Sequence, residues 1–153
     1  MTPYDRLKAL GLTLPPPPAS GGNYVQTLQR GPLLYVAGQG PFGSDGQLRT
    51  GKVGRDRTIE QAYDDARLTG LCVLTQVHAA TGDLGRVAQV VRVFGMVNAT
   101  EDFQKHPLVI NGCSDLFIEV FGDKGLHPRS AVGMASLPFG ISVEVETVFE
   151  IAD

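Results

Sequence analysis

Pro128-Arg129-Ser130-Ala131-Val132-Gly133, then Leu137-Pro138-Phe139-Gly140, then Val143-Glu144-Val145-Glu146: the reading of this chain turns on these residues near its C-terminal end. An arginine opens a strand of small and β-branched residues. Proline and glycine make a turn. A second strand alternates apolar residues with acids, the period-two pattern of a sheet with one buried and one open face. Arg129–Ser136 and Ser142–Ile151 are expected to close as a hairpin. That hairpin brings a permanent cation near several carboxylates, enough to bind a carboxylate ligand and activate a water.

Working upstream, His106-Pro107 opens a helical stripe of Val109, Gly112, Cys113, Leu116, Phe117 and Val120 that ends at Gly122. Arg86–Val97 is β-branched and almost continuously apolar, which predicts a central strand buried on both faces. Before it, Thr58-Ile59-Glu60-Gln61 is a capping box. Apolar residues then recur at spacings of three and four from Ile59 to Ala80, an amphipathic helix of about six turns, and Gly82 supplies its C′ stop. Leu68, Leu71 and Cys72 lie off the main stripe and hint at a second packing surface. Asn23–Gln29 and Leu33–Ala37 predict two strands joined at Arg30-Gly31-Pro32, and residues 42–57 a loop. Gly38-Gln39-Gly40 lacks the third glycine and helix start of a phosphate-binding loop.

The resulting order is β-β-α-β-α-β-β, an α+β sandwich in which one mixed sheet carries two helices on one face. Residues 1–21 stand apart as a short helix near Tyr4–Leu10 and a proline arm, Pro15–Pro18, expected to lie as a strap over the domain formed by residues 22–153. Two helices cover only one side of the sheet. The other side predicts sheet packing between subunits, hence a closed homo-oligomer.

Composition narrows the function. The chain has 153 residues, 42% of them apolar, enough for one domain with a real core. Its net charge of −3, with basic residues scattered singly, argues against a nucleic-acid partner. Cys72 and Cys113 fall inside apolar helical patterns and read as buried free thiols. His78, His106 and His127 are dispersed, and no metal-ligand spacing appears. No stretch approaches the ~20 apolar residues of a membrane span, and the N-terminus has no signal-peptide core, so a cytoplasmic protein is expected.

Arg129-Ser130-Ala131-Val132, Leu137-Pro138 and Val143-Glu144-Val145-Glu146 together resemble the RidA (YjgF) family, as do Gly22-Asn23-Tyr24-Val25-Gln26 and Ala37-Gly38-Gln39-Gly40-Pro41. The resemblance spans about residues 22–151. The longer N-terminal arm and Asn111-Gly112-Cys113-Ser114-Asp115 look like a distinct branch. It implies a chorismate-mutase-like α+β fold and a homotrimer with sites in clefts between subunits. It also implies hydrolysis of reactive enamines and imines, such as 2-aminoacrylate, to 2-keto acids and ammonia, without metal or cofactor. On this resemblance Arg129 grips the substrate carboxylate, as a forked, permanently charged guanidinium can, and Glu144 positions or activates water. Tyr24 lines the pocket, Gly38 lets backbone approach the ligand, Asn111 falls near a pocket asparagine, and Ala131 stands where many active members carry cysteine. Ala37 likewise replaces a hydroxyl residue. Bland alternatives stand beside these roles: an ion pair of Arg129 with Glu146 or Glu150 across the hairpin, a solvated strand face for Glu144, simple packing for Tyr24. The functional alternatives are a non-catalytic trimer that captures small carboxylate metabolites and, with less support from charge, a ribonuclease.

Overall fold

A computed structural model describes residues 1–153. The elements are α1 (Pro3–Ala9), β1 (Thr27–Arg30), β2 (Leu33–Gln39), α2 (Ile59–Thr81), β3 (Val87–Asn98), α3 (His106–Phe121), β4 (Arg129–Met134) and β5 (Val143–Ile151). Helix α2 starts where the capping box places it, with Thr58 and Gln61 each satisfying the other's backbone N–H, and stops at left-handed Gly82 (φ 76°). Helix α3 begins beside Pro107 and ends at Gly122. The two helices cross closely because Gly70 and Gly112 replace side chains at the contact: a methyl on Gly70 would sit 3.0 Å from Leu116, and one on Gly112 would overlap the Tyr63 carbonyl.

Five strands form one mixed sheet in the order β1-β2-β5-β3-β4. The expected hairpin between the last two strands does not form. β5 lies in the middle, antiparallel to both β2 and β3, while β4 is an edge strand parallel to β3. The physical reason is the crossover: β3, α3 and β4 make a β-α-β unit, and a helix returning the chain to the same end dictates parallel pairing. The turn at Pro138–Gly140 then carries the chain past β3 to its slot beside β2. β3 is likewise not buried on both faces. Val87, Val90, Val93 and Val97 are buried, but Arg92 is exposed and Gln89 and Phe94 are half-buried on the other side.

One cluster of 27 buried residues runs from α2 and α3 into the sheet and takes in Leu7 of α1, so arm and domain share a single core. Leu71 and Cys72 are buried as well, Cys72 beneath the 42–57 loop with its thiol donating to the Phe42 carbonyl. The proline arm is tied across α2, where Thr75 Oγ1 donates to the Pro15 carbonyl (2.9 Å) and Gln76 Nε2 to that of Pro18 (3.4 Å). Ion-paired Arg57 and Asp65 fasten the long loop to α2, and Ser142 Oγ donates to the same carboxylate (2.6 Å) at the entry to β5. The sheet face away from the helices carries Tyr35, Phe94, Val132 and Val148 among Glu144, Glu146 and Glu150. No helix is long and apolar enough to cross a membrane.

Candidate functional site

The site begins with a β-bulge. Val36 pairs with Thr147 and Gln39 with Val145, so Ala37 and Gly38 together oppose Glu146. The extra residue turns Gln39 inward, where it is buried and its amide donates to Gln26 Oε1 (2.8 Å) and the Ala37 carbonyl (2.9 Å). Gly38 is left facing Glu144 on the open side. A Cβ there would lie 2.7 Å from Glu144 Oε2, so only glycine lets the carboxylate lie against the backbone. Burial, and next the charge of Glu146, pushes the Glu144 pKa above that of an ordinary glutamate. Tyr24 lines the same cleft, its hydroxyl fixed by the Gly21 N–H (3.1 Å). These residues share a cleft of about 430 Å³ that is also lined by Pro18 and Ala19 at the end of the proline arm and by Phe42, Leu48, Phe139 and Ile141.

A second cluster surrounds Arg129. Its Nη1 donates to Ser114 Oγ (2.9 Å) and its Nη2 to Asn111 Oδ1 (2.7 Å) and the Pro107 carbonyl (3.2 Å). All three partners are neutral, and no carboxylate pairs with this arginine; the ion pair with Glu146 or Glu150 is absent because β4 and β5 are not neighbours. Ser114 and His127 escaped the sequence reading. Ser114 is one helical turn from Asn111, a spacing that puts both on one face of α3, and His127 sits two residues before Arg129. Their hydrogen-bond directions are forced. The Gly125 carbonyl can only accept, so His127 Nδ1 (2.6 Å) carries the proton; its Nε2 therefore accepts from Ser114 Oγ (2.9 Å), leaving the serine oxygen to receive Arg129. Burial and the nearby guanidinium lower the His127 pKa, keeping the ring neutral. Ala131 lies two residues along β4 with its methyl against the main core.

Within one chain the two clusters do not meet. Arg129 occupies the Val93 rung and Glu144 the Met96 rung of β3. A separation of three along a pleated strand puts their side chains on opposite faces. Arg129, Asn111 and Ala131 therefore lie on the helix side, and Tyr24, Gly38 and Glu144 on the open side.

This architecture has known counterparts. Residues 4–149 match the model of the family described as "YjgF/chorismate_mutase-like, putative endoribonuclease". The chain belongs to the RidA (YjgF) family. Among its curated relatives, Protein TCP17 of Trypanosoma cruzi is 42% identical over 146 residues, which cover 95% of this chain and 91% of that protein. The crystal structure of Atu1372 from Agrobacterium tumefaciens, a protein of unknown function, superimposes with a TM-score of 0.91 at 44% identity, covering 99% of this chain and 93% of that one. RidA from an Antarctic Psychrobacter superimposes with a TM-score of 0.60 at 25% identity, covering 88% and 94%. The family match takes in α1 and the proline arm along with the sheet, so the arm that walls the Glu144 cleft is part of the matched unit.

Proposed function

We propose that this RidA-family chain hydrolyses reactive 2-enamine and 2-imine acids to 2-keto acids and ammonia. The site is shared between subunits of a homotrimer, with Arg129 of one copy facing Glu144 of the next. The observation that carries this reading is the uncompensated guanidinium. Arg129 is half-buried, aimed by three neutral acceptors, and paired with no acid. A cation held in that way is pre-organised for an anion, and a 2-imino acid supplies one.

The chemistry asks little more. The imine carbon is already electrophilic, so positioning and proton transfer suffice. Glu144 takes a proton from water as the oxygen adds to the C=N carbon and passes it to the imine nitrogen, which becomes an amine. The hydroxyl proton then passes through the same carboxyl group to the nitrogen as the C–N bond breaks, leaving the 2-keto acid and ammonia. A carboxyl group whose pKa burial raises above the ordinary glutamate value holds a proton more readily, which suits both halves of that exchange. The acids on the open face repel phosphates, so RNA cleavage has no support here. Ala37 and Ala131 bring no polar side chain to the surroundings of Glu144 and Arg129, which favours, as a second reading, capture of small carboxylates without turnover.

The test follows imine decay after an amino-acid oxidase generates 2-iminopropionate, or the imine of leucine, in situ. Wild type should accelerate it, and Arg129→Ala should not, at unchanged oligomer mass. Equal rates for both proteins would overturn the assignment. Keto-acid binding with no acceleration of either imine would leave the capture reading.

A further inference from the structure

We infer that the Glu144 cleft selects 2-imino acids with a large apolar side chain, branched or aromatic, over the small imine derived from alanine, with Phe139 as the specificity contact. The inference deepens the deaminase reading and rests on it for the identity of the ligand's polar end.

Size is the first argument. At roughly 30 Å³ per water-sized group, the heavy atoms of 2-iminopropionate fill roughly 180 Å³, under half of the 430 Å³ cleft of one chain. The remaining space has a definite chemistry. Tyr24, Gln26, Gln39 and Glu144 bring polar groups to its lining, and Phe42, Leu48, Phe139 and Ile141 bring apolar ones. The apolar lining is built rather than incidental. Ile141 is 4% exposed in a small core with Met96 and Leu137, and Leu48 packs against that core. Gly40 makes room for Ile141, since a Cβ at that position would sit 2.9 Å from its Cδ1. A lining that mixes apolar side chains with a few polar groups holds a ligand by two chemistries at once, which is how small-molecule pockets set orientation.

Phe139 is the second argument. It is the one non-glycine residue with positive φ (59°), it is 79% exposed, and it lines the cleft. A bulky residue in the left-handed region is a backbone outlier, and glycine would occupy that position without strain. The exposed ring gains nothing from burial within its own chain that could offset the conformation. A ligand side chain lying in the cleft gives the ring something to cover, and strain of this kind gathers at ligand clamps.

Binding of 2-oxo acids tests this without requiring turnover. Pyruvate, 4-methyl-2-oxopentanoate and phenylpyruvate share the carboxylate and differ in side chain. The two larger acids should bind about 10- to 100-fold more tightly than pyruvate. Phe139→Gly relieves the backbone strain, so it folds, and it should shrink that ratio by about threefold or more with the oligomer mass unchanged. Equal affinities for the three acids would overturn the inference, and so would a Phe139→Gly variant that loses its oligomeric mass, since the ring would then belong to a subunit contact. The two readings fail separately. Selective binding with no imine turnover leaves the cleft's preference standing and removes the deaminase; turnover of all three imines with equal kcat/KM does the reverse.

Discussion

Gly38→Ala separates site geometry from fold stability. The added methyl carbon lands 2.7 Å from Glu144 Oε2, 3.0 Å from its Cδ and 3.3 Å from its Cγ, where ordinary contact begins near 3.4 Å. The carboxylate oxygen must retreat by at least 3.4 − 2.7 = 0.7 Å. Glu144 has room to do so, because its side chain is only half-buried and faces an open cleft. Gly38 is not among the positive-φ glycines, so alanine fits the backbone. The stability change should stay within about 1 kcal/mol. Catalysis is far more sensitive to position: a displacement near 1 Å costs about 100-fold in rate, or about 2.7 kcal/mol of transition-state stabilisation. Imine decay read alongside urea denaturation gives both numbers from one preparation. A rate within threefold of wild type would refute the claim that Gly38 exists to place Glu144. A stability loss of about 3 kcal/mol would show instead that the bulge is structural and cannot take a side chain.

Gly112→Ala should act in the opposite way, destabilising by about 3 kcal/mol in urea titration, because its methyl meets the Tyr63 backbone of α2 rather than a movable side chain. Glu144→Gln should abolish imine hydrolysis yet raise Tm at pH 7. The native carboxylate resists ionising while the unfolded one does not, so its penalty appears as pH rises above about 4.5, and the variant should match wild type near pH 4. For His127 the native pKa lies below the ordinary 6.5, so on acidification the unfolded chain takes the proton first. Wild-type stability should therefore fall as pH drops through about 6.5 and level off once the native ring also protonates, a limb that His127→Gln should lack in denaturation curves between about pH 7.5 and 5.

Local rules carried the sequence reading a long way. The capping box at Thr58, the stop at Gly82 and the alternation from Val143 to Ile151 each depend on residues a few positions apart, and all three appear in the structure. The pairing of the last two strands depends on something else. Ser136 and Ser142 are close in sequence, and proximity suggests a hairpin. What decides instead is that α3 delivers β4 to the outer edge of β3, while the slot between β2 and β3 is filled by the only strand whose alternate residues can all be buried: Val143, Val145, Thr147, Phe149 and Ile151. A pattern can show that a strand is half-buried without saying which neighbours bury it. The same limit hid the inward turn of Gln39, since a bulge shifts the alternation by one residue and has no mark in the sequence beyond Gly38 and Gly40. Ser114 and His127 were legible only as polar residues near Asn111 and Arg129; their linkage needs α3 and the approach to β4 side by side.

The opposed faces of Arg129 and Glu144 set the strongest condition on the mechanism. If both act on one imino acid, they must come from different chains, and the two single variants must complement each other. Arg129→Ala subunits keep Glu144, Glu144→Gln subunits keep Arg129, and either oligomer alone has no complete site. When the two are co-refolded in equal amounts with free mixing, a given interface takes its arginine side from a competent subunit half the time and its glutamate side half the time. About a quarter of the interfaces are then whole, and the mixture should recover about a quarter of wild-type activity. Mixing the folded variants without unfolding should recover nothing until subunits exchange, which native mass measurement of a tagged partner follows directly. Zero recovery in oligomers shown to be mixed would mean that the two residues do not share a substrate across an interface. Glu144 and its cleft would then have to act without the arginine.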